Sequence, residues 1–173
     1  MTIGRIGTYI VFICITAAVT AADQITKHAV TERVPLGTHV EIVPGHMNIV
    51  HVRNPGAAFG MFSRSTSQFR PVLFLVVSLG AILVIIWTLV TSETIGWALL
   101  TACALFMAGV TGNLIDRIRF GEVIDFLDVY VGSFHWPAFN VADAALCTAV
   151  GLIFVHFLGT RSAADHESSS QQP

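Results

Sequence analysis

An all-α membrane protein, with four transmembrane helices and a small β-hairpin or loop subdomain at the membrane surface, is the fold the sequence predicts. Three observations predict it. Of 173 residues, 54% are hydrophobic and only 12% are charged, about half the ~25% charged share of soluble domains. Mean hydropathy is +0.72. Four uncharged stretches, at 6–22, 71–92, 94–115 and 144–160, each approach the ~20 residues of helix that cross a hydrocarbon core about 30 Å thick. They are apolar on all faces, as lipid-surrounded helices are.

The first stretch, with Arg5 before it and Thr20-Ala21-Ala22 at its end, also fits a cleavable secretory signal. The three further spans, and Asp23 and Lys27 directly after it, favour a retained helix. Ser92 and Glu93 alone separate the second and third stretches, which predicts a tight antiparallel helix pair. The 23–70 segment is too long for a structureless loop in a compact domain. Within it, Val40 to Val52 is rich in β-branched residues and broken by Pro44-Gly45, which predicts a hairpin at the membrane surface. Segment 116–143 reads as a loop returning to the same side. One membrane-embedded domain over 1–160 is expected, and the polar 161–173 tail is expected to be disordered.

A net charge of −2 offers no basic surplus for nucleic acid. Cys14, Cys103 and Cys147 sit in apolar stretches without a C-x-x-C pair and read as small buried hydrophobes. The seven histidines form neither H-E-x-x-H nor a Cys/His cluster, so no metal is expected. No G-x-S-x-G and no phosphate-binding glycine loop occurs, and no cofactor is expected. Cations divide unequally: Arg5 and Arg161 lie on one side, and Lys27, Arg33, Arg53, Arg64, Arg70, Arg117 and Arg119 on the other. Counted naively, this puts the long first loop in the cytoplasm.

Ionisable groups beside spanning helices are costly and point to function. Here four segments deliver them to one membrane level: Asp23 and Lys27, then Asn113, Asp116 and Arg117, then Asp125, then Asn140 and Asp143. Asp125, in Val123-Ile124-Asp125-Phe126, and Asp143, at the start of an apolar helix, form the pair best suited to share a proton near neutrality. Such a pair activates water and protonates a leaving nitrogen. The plainer reading makes Asp125 a turn cap and Asp143 an N-cap. Asp128 reads as solvated or interfacial. Asn113 and Arg117, at i, i+4, can face one cavity and donate to peptide carbonyls, while Arg117 can instead pair with Asp116. Asp23 and Lys27 have the spacing of a supporting ion pair. Gly56 and Gly60 permit close backbone approach in the loop after Asn54. An ion-relay channel or transporter subunit, or a scaffold with structural ion pairs, are the alternatives. Against the first, no paired interrupted helices are evident.

Taken together, Asp23-Gln24-Ile25-Thr26-Lys27, Asn54-Pro55-Gly56-Ala57-Ala58-Phe59, Gly112-Asn113-Leu114-Ile115-Asp116-Arg117, Val123-Ile124-Asp125-Phe126 and Phe139-Asn140-Val141-Ala142-Asp143 resemble, in this order, the five boxes of bacterial lipoprotein signal peptidase (signal peptidase II). The resemblance implies an intramembrane aspartic protease of the bacterial cytoplasmic membrane, cutting prolipoproteins before a diacylglyceryl-modified cysteine and blocked by globomycin. It implies Asp125 and Asp143 as the catalytic dyad, with Asn54, Asn113, Arg117 and Asn140 lining the substrate cleft. Asp23, Lys27, Gly56 and Asp116 become supporting residues. It also implies cytoplasmic termini and an active site near the outer leaflet, the reverse of the charge count.

Overall fold

The computed structural model describes residues 5–55, 69–92 and 94–169. The element order is α1 (Arg5–Arg33), β1 (His39–Val43), β2 (Met47–Asn54), α2 (Phe69–Thr91), α3 (Trp97–Phe120), β3 (Val123–Val131), β4 (Phe134–His135) and α4 (Val141–Ser169). Among the described residues, four helices are long and apolar enough to cross a membrane.

Helix α1 has 29 residues, roughly 44 Å at 1.5 Å per residue, well beyond a ~30 Å core. The uncharged stretch ends at Asp23, yet the helix continues through Arg33. Asp23 and Lys27 do not stop it, because at i, i+4 they satisfy each other, Nζ to Oδ2 being 2.8 Å. Between α2 and α3 the link occupies 92–96, longer than the two-residue turn expected, with Gly96 the extended N-cap of α3. Helix α4 continues through Ser169, so 161–169 is helical where polar composition suggested disorder; 170–173 lie outside the described residues.

The most deeply enclosed span is α3, with half of its apolar window buried; the other three are largely exposed to the lipid region. Small residues on α3 permit close approach on two sides, the usual device where lipid gives helices no hydrophobic reason to associate. A Cβ at Gly109 would stand 2.5 Å from the Ala142 carbonyl oxygen, and one at Gly112 would stand 2.6 Å from Asp23 Oδ2. Ile85, Leu89, Leu100, Cys103 and Met107 make the core cluster between α2 and α3. The exposed Val76, Val77, Leu83, Val84 and Trp87 of α2 match a lipid-facing surface.

The β1–β2 hairpin forms where the sequence predicts it, turning at Gly45 with φ 76°. What the sequence reading missed is β3. Segment 116–143 is no simple loop: it adds two strands, giving an antiparallel sheet in the order β1-β2-β3-β4. Gly121, in the left-handed conformation (φ 75°), ends α3 by donating its N–H to the Arg117 carbonyl and turns the chain into β3. Phe126 packs with Val30 of α1 and with Val34 just after it.

Candidate active site

Five elements, α1, β2, α3, β3 and α4, meet where α3 ends and α4 begins. Asn140 precedes α4, and its Oδ1 accepts the Asp143 backbone N–H at 2.9 Å, while Asp143 Oδ2 accepts the Asn140 backbone N–H at 3.3 Å. This is a reciprocal capping box. Asn140, not Asp143, is therefore the N-cap. Asp143 stands in the first turn, its Oδ1 taking a 2.8 Å hydrogen bond from Asn113 Nδ2.

Asp125 lies on β3 opposite Val52 of β2, so it caps no turn. Its Oδ1 accepts from Asn140 Nδ2 at 2.8 Å and its Oδ2 from Asn54 Nδ2 at 2.9 Å. It is almost wholly buried, 2% exposed. Burial raises its pKa to about 6 and the nearby Asp143 charge pushes the same way, against the hydrogen bonds of Asn54 and Asn140.

The amide orientations are chemically determined. Because Asn140 Oδ1 is taken by a backbone N–H, its Nδ2 must face Asp125; that nitrogen also lies 3.1 Å from Asn113 Oδ1. Asn113 Oδ1 further accepts from Lys27 Nζ at 3.2 Å, a group that only donates, so Asn113 Nδ2 faces Asp143. A continuous chain of hydrogen bonds thus joins the two aspartates through Asn140 and Asn113.

Beneath this pair, Lys27 is held between Asp23 Oδ2 and Asp116 Oδ2, both at 2.8 Å, with all three side chains at most 2% exposed. Asp23 Oδ1 also accepts the Ala142 backbone N–H at 2.9 Å, placing a carboxylate on the α4 N-terminus. Asp116 Oδ2 takes the Ile124 N–H at 3.1 Å, tying α3 to β3. Asp116 therefore serves Lys27 and Ile124. Arg117 instead lays its guanidinium 4.8 Å from the Phe74 ring centroid on α2.

Asp128, expected to be solvated, is 9% exposed. It accepts from Asn48 Nδ2 at 2.9 Å and contacts His135 Nδ1 at 2.9 Å. These hydrogen bonds outweigh its desolvation and hold its carboxyl below the usual range. Three residues apart on a strand, Asp125 and Asp128 point to opposite faces, which separates their partners. Gly56 and Gly60, and with them the loop after Pro55, lie outside the described residues.

Sequence reasoning missed Gln24, whose Nε2 lies within 3.0–3.2 Å of Asp116 Oδ1, Asp23 Oδ2 and the Gly112 carbonyl. Its signal was an amide at the same level as the other polar groups. The bracing role of Gly109 and Gly112 was legible only as small residues three apart.

Four apolar helices enclosing one level of carboxylates, amides and a single lysine define a multi-pass membrane protein with an acid–base site at one face. A family model described as Signal peptidase (SPase) II matches residues 15–159. A lipoprotein signal peptidase of Syntrophus aciditrophicus (strain SB) is 42% identical over 146 residues, covering 84% of this chain and 89% of the relative. One from Oleidesulfovibrio alaskensis is 44% identical over 147 residues, with 85% and 92% covered. Two solved structures, each titled as a bacterial membrane enzyme, superpose with TM-scores of 0.80 and 0.76 at 30% and 28% identity. They cover 88% and 86% of this chain, and 90% and 92% of theirs. The chain belongs to the signal peptidase II family and is a multi-pass bacterial membrane protease.

Proposed function

We propose that this chain is an intramembrane aspartic endopeptidase that removes the signal peptide of prolipoproteins immediately before the diacylglyceryl-modified cysteine. Asp125 and Asp143 are the catalytic dyad. The observation that carries this reading is the hydrogen-bonded linkage of the two carboxylates, from separate elements, through Asn140 and Asn113. Two carboxyls so coupled hold one proton near neutrality, and the raised pKa of Asp125, about 6, supports this.

The ionised carboxyl takes a proton from water, and the water oxygen attacks the scissile carbonyl carbon. The protonated carboxyl hydrogen-bonds the developing oxyanion. The proton taken from water then passes to the amide nitrogen as the C–N bond breaks. No metal enters these steps. Asn54, Asn113, Arg117 and Asn140 hold the extended segment of the substrate around the scissile bond. Asp23, Lys27 and Asp116 brace them, and Gly56, outside the described residues, is assigned a supporting role. The lipid chains of the substrate stay in the bilayer, and the termini face the cytoplasm with the dyad near the outer leaflet. Lys27 and Arg117 then belong to the site, which is why a raw count of cations misassigns the sides.

Purified protein in detergent with a lipidated prolipoprotein, read by gel shift, tests this. Asp125→Asn and Asp143→Asn should each abolish cleavage while the protein still inserts and folds, chelator should leave the rate unchanged, and globomycin should block it. Near-normal turnover by either variant would refute the dyad.

A further inference from the structure

At the C-terminal end of α3, beside the aspartate site, two arginines from different elements share one aromatic ring. Arg53 Cζ of β2 and Arg119 Cζ of α3 each lie 4.9 Å from the Phe120 ring centroid. Their charges are thereby held within about 10 Å of each other, the Debye length at ~0.1 M salt, so their positive fields add toward an anion. Among the described residues neither guanidinium forms an ion pair, the neighbouring Glu122 included. The 56–68 segment carries no acid and one further cation, Arg64. The C-terminal dipole of α3 favours Arg119, but it does not bring in Arg53 from the sheet.

Arg119 is exposed, and beside it Ile118 and Phe120 are 71% and 39% exposed. Exposed apolar side chains next to unneutralised guanidiniums, at the last turn of a spanning helix, match the boundary between acyl chains and headgroups. Guanidinium is the donor fork that fits phosphate oxygens, and the Phe120 face presets both forks. We propose that Arg53, Phe120 and Arg119 form a binding site for the phosphate of an anionic membrane phospholipid. The diacylglyceryl group of the proposed protease substrate bears no phosphate, so binding phosphate is a property distinct from the proposed cleavage.

The test is native mass spectrometry of the protein in neutral detergent, titrated with phosphatidylglycerol, phosphatidylcholine or inorganic phosphate. Wild type should retain phosphatidylglycerol in preference to phosphatidylcholine. Affinity should fall roughly fivefold for Arg119→Gln and about 25-fold for Arg53→Gln with Arg119→Gln, from ~1 kcal/mol per cation near a lipid surface. Arg119→Gln alone guards against misfolding of the double variant, because its side chain is exposed. Equal retention of the two lipids, variants that bind phosphatidylglycerol as wild type does, or displacement of the lipid by millimolar inorganic phosphate would each overturn the proposal.

Discussion

Asn140 reaches both aspartates from one position, through its side chain to Asp125 and through its backbone N–H to Asp143. Asn54 Nδ2 donates to Asp125 Oδ2, which makes it a direct probe of the dyad's proton. Its donated hydrogen bond favours the ionised carboxylate, so Asn54→Ala should raise the Asp125 pKa further above about 6. The alkaline limb of kcat/KM, where the dyad loses its remaining proton, should therefore move to higher pH; a shift downward would contradict this reading. The same raised pKa has a consequence for stability. Because folded Asp125 titrates near 6 rather than 3.8, its stabilising contribution is full below pH ~3.8 and is lost as pH rises through about 6, at most about 3 kcal/mol. Asp125→Asn should thus gain on wild type in thermal midpoint between pH 4 and pH 8. Asp128→Asn faces the opposite side of β3 and should keep most cleavage activity, losing stability through Asn48 and His135 instead. A loss of activity as deep as that of Asp125→Asn would show that the wrong aspartate had been paired with Asp143.

Helix α3 is the element that sets the distances, and its glycines make the approach possible. Gly109→Ala would push a methyl carbon to 2.5 Å from the Ala142 carbonyl oxygen and 2.6 Å from Leu146 Cγ. Backbone cannot yield cheaply there, so α3 and α4 must separate, costing about 1–3 kcal/mol. Thermal unfolding in detergent should show the drop, whereas Gly80→Ala on α2, with nothing within 4 Å, should leave the midpoint unchanged or slightly raised. The four spans and the first hairpin were legible because bilayer thickness and β-branched alternation act over many residues. Strand β3 was not. Asp125 and Asp128 interrupt Val123–Val131 at odd spacing and are poor strand formers, so the pattern reads as loop until β2 supplies the ladder. Helix α1 was cut short for a related reason: charge ended the apolar run at Asp23, though charge pairing prolonged the helix. The polar residues of the site were legible individually, but their partners were not. Adjacent residues on a helix do not face each other, and Asp116 found Lys27 across the bundle instead of Arg117 beside it.

Across the whole molecule, one buried cation joins the helices to the sheet and both to the aspartates. Lys27 on α1 reaches Asp116 and Asn113 on α3, and its partner Asp23 reaches the α4 backbone. Lys27→Met removes the charge while keeping most of the volume, and it leaves Asp23 and Asp116 facing each other uncompensated. Breaking a buried ion pair from one side costs about 3–5 kcal/mol, so the thermal midpoint should fall sharply. Activity should fall further, because Asn113 Oδ1 loses one of its two donors, leaving Asn140 Nδ2 alone to hold the amide that faces Asp143. The two effects separate in a variant that also carries Asp23→Asn and Asp116→Asn. Neutralising both acids removes the stranded charge, so part of the lost stability should return. Cleavage should not, since nothing restores the Lys27 hydrogen bond to Asn113. Recovery of activity in step with stability would show that Lys27 only holds the fold together and has no part in setting the site.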